Sequence, residues 1–326
     1  MTNPLAGLLA DHSGRPRTVV SLLAAGAALA FAALSLAESF WALLCLQALA
    51  AAGLQALIPL GESRTLSAVR ARGLDYGRIR LWGSLTFVIG VLGTGALLDV
   101  LPVTLLAWLL IGGLAATFLS GLALPQLAES ESKRERGALR RLMADRPLRW
   151  FLFGAALLQA SHAAYYAFSA IAWQAAGLGT FTIGWLWTEG VLAEIAFFAV
   201  SRRVLARVSL RGLLAIAALG GILRWSVTAA TTDLAALAAV QLLHAATFAA
   251  AHLASVHMIA ARAPGGLAAT GQSLYSALSG GLAMGAMMLA VGPLYEALAL
   301  KSFFVMAGVC AAALLLLAVA PRTSSD

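Results

Sequence analysis

Seven ionisable side chains interrupt otherwise apolar stretches of this chain: Glu62, His162, Glu189, Glu194, Arg224, His244 and His252. In a bilayer each such group costs several kcal/mol unless it is paired or wetted, so a cluster of them marks a place where work is done. Five lie on three successive stretches, and Arg224 and His244 stand 20 residues apart with a carboxylate on the preceding stretch. A guanidinium can hold the carboxylate of a ligand, while a carboxylate and an imidazole can exchange a proton. At ~1.5 Å per residue, Glu189 and His244 fall near mid-membrane and Arg224 about a turn nearer the outside. Glu194 and His252 fall nearer the cytoplasm. Glu189 is the expected ion-pair partner of Arg224, with Glu194 the alternative. The competing reading is an ion pair that only packs two helices together. His257 lies at the cytoplasmic end and reads as interfacial.

An aromatic face stands beside this cluster. His162, Tyr165, Tyr166 and Phe168 fall within two turns, with Gln159 one turn earlier, and positions 162, 165, 166 and 169 share a face at helical spacing. Tyrosine rings stack on an aromatic ligand, and their hydroxyls or His162 can donate to a carboxylate held by Arg224. Alternatively, the stripe packs against neighbouring helices or lipid. Trp173, Trp185 and Trp187 read as anchors near the outer boundary.

The elements that position these groups are long and apolar. Ten stretches of ~20 residues, near 18–36, 40–61, 81–100, 102–124, 150–173, 181–200, 211–230, 234–258, 268–292 and 298–320, can each cross a bilayer core as a helix. The runs are continuous rather than alternating, which excludes a transmembrane barrel. Segments on one side carry 20 of the 22 Lys and Arg residues, Lys301 and Arg224 being the exceptions. Positive charge marks the cytoplasmic side, so both termini are expected there, in a multi-pass protein of the cell inner membrane. An apolar fraction of 61% and a charged fraction of 11% do not suit a water-soluble domain, and the net charge of +8 belongs to topology rather than to nucleic-acid binding. Cys45 and Cys310 lack metal-ligand spacing, and neither a metal nor another cofactor is expected. Without a nucleophile set, a metal set or a phosphate-binding loop, an enzyme is not expected either.

The polar segment 126–149 separates residues 1–125, a bundle of four helices, from residues 150–326, a bundle of six. Gly7-Leu-Leu-Ala-Asp11-His-Ser-Gly14-Arg15-Pro-Arg17 resembles the loop that joins the second and third helices of the major facilitator superfamily on the cytoplasmic side. The resemblance implies an all-α, two-bundle transporter whose halves rock around a central site. It also implies that Met1 sits near the end of the second of twelve helices, so the first bundle is expected to be two helices short and this form poorly stable and inactive. Asp11 can cap a helix or pair with Arg, and Arg15 and Arg17 hold the loop at the surface. Asp75 opens the third stretch as a cap or, with Arg78, as part of a cytoplasmic gate that includes Asp11 and Arg15.

A closer resemblance, over nearly the whole chain, is to the phenylpropionate permeases, related to the lactose permease group. It is carried by Gln159 through Gly177, by Leu74-Asp75-Tyr76-Gly77-Arg78-Ile-Arg80-Leu-Trp82-Gly83-Ser84, by Gly221-Ile-Leu-Arg224-Trp225 and by Gln241-Leu-Leu-His244. It implies proton-coupled import of a small aromatic carboxylic acid such as 3-phenylpropionate by a monomer whose partners are the organic anion, protons and the bilayer. The implied substrate-binding residues are Gln159, His162, Tyr165, Tyr166, Arg224 and His244, and the implied proton-coupling residues are Glu189, Glu194 and His244. The Glu–Arg–His set resembles that of the lactose permease, with one departure: a carboxylate three residues after the histidine is replaced by Thr247, which cannot carry the coupling proton. The alternatives are a proton-coupled sugar or nucleoside permease, or an inactive truncated membrane protein.

Overall fold

The computed structural model describes residues 2–13, 15–98, 102, 105–124, 138–263 and 267–321. Half of the expected linker, residues 126–137, lies outside the described residues. The helices are α1 (Thr2–Ser13), α2 (Pro16–Leu34), α3 (Phe40–Arg72), α4 (Tyr76–Leu98), α5 (Leu105–Ala123), α6 (Ala138–Ala144), α7 (Arg146–Ala160), α8 (Ala163–Ala175), α9 (Thr180–Leu205), α10 (Leu210–Ala230), α11 (Leu234–Gln241), α12 (Ala251–Arg262), α13 (Ala268–Ser276), α14 (Met284–Leu298) and α15 (Ser302–Val319). Wider π-helical turns at Ala245–Ala250 and Ala277–Ala283 join α11 to α12 and α13 to α14.

Local chemistry sets several of the ends. Ser39, Asp145, Ser209 and Asp233 each accept a backbone N–H from the first turn of α3, α7, α10 and α11, removing one of the orphan donors at each N-terminus. Gly73, at φ +65°, closes α3 in the left-handed conformation that a side chain disfavours. Among the described residues, six helical runs are long and apolar enough to cross a membrane, where the sequence predicts ten spans. The count covers the described residues alone, and residues 99–101, 103 and 104, at the join of the spans predicted at 81–100 and 102–124, lie outside them. The span predicted at 150–173 is divided at Ser161 and His162 into α7 and α8, of 15 and 13 residues, each too short to span alone. The spans predicted at 268–292 and 298–320 correspond to α13–α14 and to α15, and count as one run, Ala268–Val319, because only a short 3-10 turn at Ala299–Lys301 separates them. Helix α3 continues past its predicted end at 61 to Arg72, carrying Glu62 and Arg64 within it.

The described residues group into two units, one drawn from 1–74, 89–141 and 263–276, the other from 75–88, 142–262 and 277–326. In the first unit, α2 lies against α3 and α5, while α1 packs on α13 and α3 around Ala6, Ala10, Val19, Val20, Ala56, Leu60 and Ala269. The segment read as a loop at Gly7–Arg17 is helical as far as Ser13, because α1 has α13 to pack on. Gly7 therefore serves close approach rather than a turn: a Cβ there would meet Ser273 Oγ at 2.6 Å and the Ala269 carbonyl at 2.7 Å. Asp11 accepts from the Ala269 and Thr270 backbone N–H groups at 3.3 and 2.7 Å and from the Thr270 hydroxyl at 2.5 Å. It caps α13, a helix 258 residues distant in sequence from it. Arg15 is exposed.

In the second unit, α10 packs along α15, α7 meets α15 and the second π segment, and the first π segment lies between α9 and α10. The opening of α4 joins this unit. Asp75 accepts the Arg78 N–H at 3.3 Å and pairs with the exposed Arg78 guanidinium at 4.0 Å, so it caps α4. Gly77 lets α4 touch α9, since a Cβ would fall 1.8 Å from Ser201 Oγ and 2.3 Å from the Phe198 carbonyl. Gly77→Ala is expected to force these helices apart at an overpacking cost of about 1–3 kcal/mol. Thermal unfolding in detergent should show a midpoint lower by several degrees, and an unchanged midpoint would mean that the contact contributes nothing.

Candidate functional site

Arg224, 1% exposed on α10, is the centre of a polar network inside the second unit. Its Nη2 donates to Gln241 Oε1 at 2.5 Å, and its Nη1 donates to Thr247 Oγ1 at 3.0 Å and His244 Nδ1 at 3.1 Å. Its guanidinium carbon also lies 4.7 Å from the Tyr165 ring centre and 4.5 Å from that of Trp225. The cation is thus held by neutral dipoles and two π faces. The expected Glu189–Arg224 ion pair does not form, and neither does the alternative with Glu194. Glu189 Oε2 is buried without a hydrogen bond, and five residues of helix turn it away from the face of α9 that carries Glu194.

Glu194 instead meets His244 and the start of α4. Ser84 Oγ donates to its Oε1 at 2.7 Å, Arg80 Nη2 lies 3.5 Å from the same oxygen, and His244 Nε2 lies 3.6 Å from Oε2. Arg80 also donates to Ser84 at 3.2 Å. Because a guanidinium only donates, His244 must accept at Nδ1 and carry its proton at Nε2, facing Glu194. The same logic applies to His162. Its Nδ1 faces the Leu158 carbonyl at 3.1 Å and therefore donates, leaving Nε2, 3.2 Å from Thr247 Oγ1, to accept the threonine hydroxyl when the ring is neutral. Both nitrogens of His162 are engaged, so what it offers a ligand is its ring face.

The sequence-predicted aromatic face is only partly assembled. Tyr165 stacks on Trp187 at 4.6 Å, and Tyr166, half exposed, stacks on His162 at 5.8 Å. Phe168 faces elsewhere, stacking on Tyr295 of α14 at 4.2 Å. The Gln159 side chain makes no hydrogen bond among the described residues, although its carbonyl accepts the His162 N–H. Of the three expected boundary tryptophans only Trp185 is exposed. Trp173 is enclosed and Trp187 is packed on Tyr165, so these two belong to the aromatic cluster. His252 bonds the Tyr76 hydroxyl at 3.1 Å, with Phe248 stacked between His252 and His244 at 6.2 and 5.2 Å. His257 meets the edge of the Tyr76 ring.

Sequence reasoning passed over Gln241, Thr247, Arg80 and Ser84 as site residues. Spacing offered a signal for the first two, since 241, 244 and 247 recur every three residues beside the buried arginine. Arg80 and Ser84 carried none, because their partner Glu194 lies on another helix, 110 residues from Ser84. Two ruptures in helical winding coincide with the site: the Ser161–His162 break, and the π segment that begins after His244 and contains Thr247. Such irregular turns recur at functional sites.

The chain matches the MFS_1 like family over residues 1–306. It is 40% identical over 263 residues to the "Probable 3-phenylpropionic acid transporter" of Escherichia coli (strain K12), covering 80% of this chain and 69% of that one. It is 30% identical over 338 residues to the "Maltose permease" of Geobacillus stearothermophilus, covering 99% of this chain and 83% of the permease. Among solved structures it superposes on the human organic anion transporter MFSD10 (TETRAN) with a TM-score of 0.74 at 19% identity, covering 97% of this chain and 80% of that one. On the E. coli fucose:proton symporter the TM-score is 0.73 at 14% identity, covering 99% and 88%.

Thr247→Val keeps the shape of the threonine while deleting the hydroxyl that accepts from Arg224 and faces His162. The expected loss is about 1–3 kcal/mol for buried groups left unpaired, read as a lower unfolding midpoint, with Thr247→Ser close to wild type. Equal midpoints for the valine and serine variants would show that the hydroxyl is not needed.

Proposed function

Since the chain belongs to the MFS_1 like family of transporters, we propose that it imports a small aromatic carboxylic acid, such as 3-phenylpropionate, together with protons. It is a multi-pass membrane transporter rather than an enzyme. The observation that carries the finer reading is the buried sequence of contacts from Tyr165 through Arg224 and His244 to Glu194. It puts an aromatic surface, a carboxylate-binding cation and a proton-exchanging pair in continuous contact. The name of the E. coli relative favours the same substrate class.

The proposed steps follow from hydrogen-bond roles. A substrate carboxylate competes for the Nη1 donor of Arg224 and takes its Nε, which is buried without a partner. His244 Nδ1 then loses the proton donor that held it and is open to a proton, while its Nε2–H remains aimed at Glu194. Binding of the anion and movement of the proton thus share one imidazole. Arg80 and Ser84 hold Glu194 in place, and Glu189 is a second candidate for the coupling proton. In this reading residues 1–125 and 150–326 are two bundles joined by the cytoplasmic segment 126–149. The protein works as a monomer in the inner membrane with both termini in the cytoplasm, and Asp11, Arg15, Asp75 and Arg78 serve the cytoplasmic gate. A sugar substrate is the second reading, favoured by the identity to the maltose permease.

The test is uptake into proteoliposomes. Labelled 3-phenylpropionate should accumulate only under an inward proton gradient, and equal uptake without one removes the coupling. Preferential uptake of maltose favours the sugar reading instead. Arg224→Gln is expected to weaken binding by 10-fold or more, by losing a charge-assisted contact of about 1.5–3 kcal/mol. Glu194→Gln, resembling the protonated carboxyl, should retain substrate exchange and lose uphill uptake. Uphill uptake at the wild-type rate by Glu194→Gln would take Glu194 off the proton path.

A further inference from the structure

Three tryptophans contact the Tyr165 ring, and they differ in what their indole N–H groups do. Trp225 donates to Ser161 Oγ at 3.1 Å. Trp173 and Trp187 hold Nε1 atoms that are buried with no hydrogen-bond partner, as is Arg224 Nε. A buried donor left unpaired costs about 1–3 kcal/mol, and each such group calls for a reason. Trp173 is 0% exposed, and its donor faces packed interior. Trp187 is only partly buried, and it stands seven residues before Glu194, two helical turns along one face of α9. The Tyr165 ring therefore carries the Arg224 guanidinium at 4.7 Å and the Trp187 indole at 4.6 Å, each with one unused N–H.

We propose that Trp187 is a second anchor for the transported anion, its indole N–H selecting a carboxylate that carries another hydrogen-bond acceptor, a hydroxyl or carbonyl oxygen, on the body of the molecule. This rests on the carboxylate reading given above. Arg224 offers a carboxylate its Nε together with one Nη, the paired donors that a carboxylate fits. Trp187 offers a single N–H, which suits a single oxygen. Both donors are shielded, so a ligand reaches them by parting the Tyr165–Trp187 stack. A ligand without the second oxygen would leave the indole N–H as unsatisfied as it is now, and sites built around a buried donor discriminate against ligands that cannot meet it.

Trp187→Phe keeps an aromatic ring against Tyr165 and removes the N–H. Calorimetric titration of the detergent-purified protein with 3-phenylpropionate and 3-(4-hydroxyphenyl)propionate is expected to show the hydroxylated acid bound roughly 10-fold more tightly by the wild type. That ratio should collapse toward one in Trp187→Phe, with affinity for the unsubstituted acid unchanged, which also shows that the variant is folded. Trp173→Phe should leave the ratio as it is. Equal wild-type affinities, a ratio that persists in Trp187→Phe, or a collapse in Trp173→Phe instead would each overturn the assignment. If the wild type binds neither acid, the carboxylate reading falls with it. If Trp187→Phe does not fold, Trp187→Leu, which also lacks a donor, serves in its place, and the wild-type ratio alone still decides against the proposal when it is near one.

Discussion

A guanidinium enclosed among helices with no carboxylate in contact among the described residues is the constraint around which the second unit is arranged. Arg224 cannot be neutralised by losing its proton, so its surroundings must supply acceptors. Gln241, His244 and Thr247 do so from one helical run, and Tyr165 and Trp225 add their ring faces. A direct carboxylate partner would have satisfied the cation and also occupied it. Neutral partners leave it a cation for which an arriving anion can compete, and the Glu194 carboxylate stands one imidazole away.

In the proposed mechanism that imidazole links anion binding to proton movement. His244 accepts from the arginine and presents its proton to Glu194, so whatever happens at one side is felt at the other. Glu194 carries the same dependence onward to α4 through Ser84 and Arg80. Helix α4 is itself divided between the two contact units at residues 88 and 89. Two of the places where this bundle departs from regular winding, the Ser161–His162 break and the π segment after His244, adjoin the same network.

Much of this was legible in the chain itself. Continuous apolar runs of bilayer length, with 20 of the 22 basic residues in alternate connections, leave a polytopic helical protein as the only economical reading. Counting residues gave expected depths for Arg224, His244 and Glu194, because a helix rises by a constant step. Counting also misassigned the carboxylate. Glu189 matches His244 in depth, but depth says nothing of azimuth against a neighbouring helix, and the structure turns that face of α9 away. Trp173 and Trp187 were misjudged for a related reason, since a position near the end of a span does not reveal whether the ring points to lipid or inward.

What the sequence alone determined, then, is the class of solvent this chain folds in, the helices that solvent demands, and the small set of ionisable groups too costly to be idle. Those follow from local composition and a fixed rise per residue, which need no knowledge of neighbours. Tertiary structure decided which of those groups meet. The break at Ser161–His162, the π segment after His244, the cap that Asp11 supplies to α13 and the Ser84–Glu194 hydrogen bond all join residues through packing between helices distant in sequence. Their energies depend on relative rotation and separation of whole helices, and rotation is the variable that a one-dimensional pattern in an all-apolar helix does not encode.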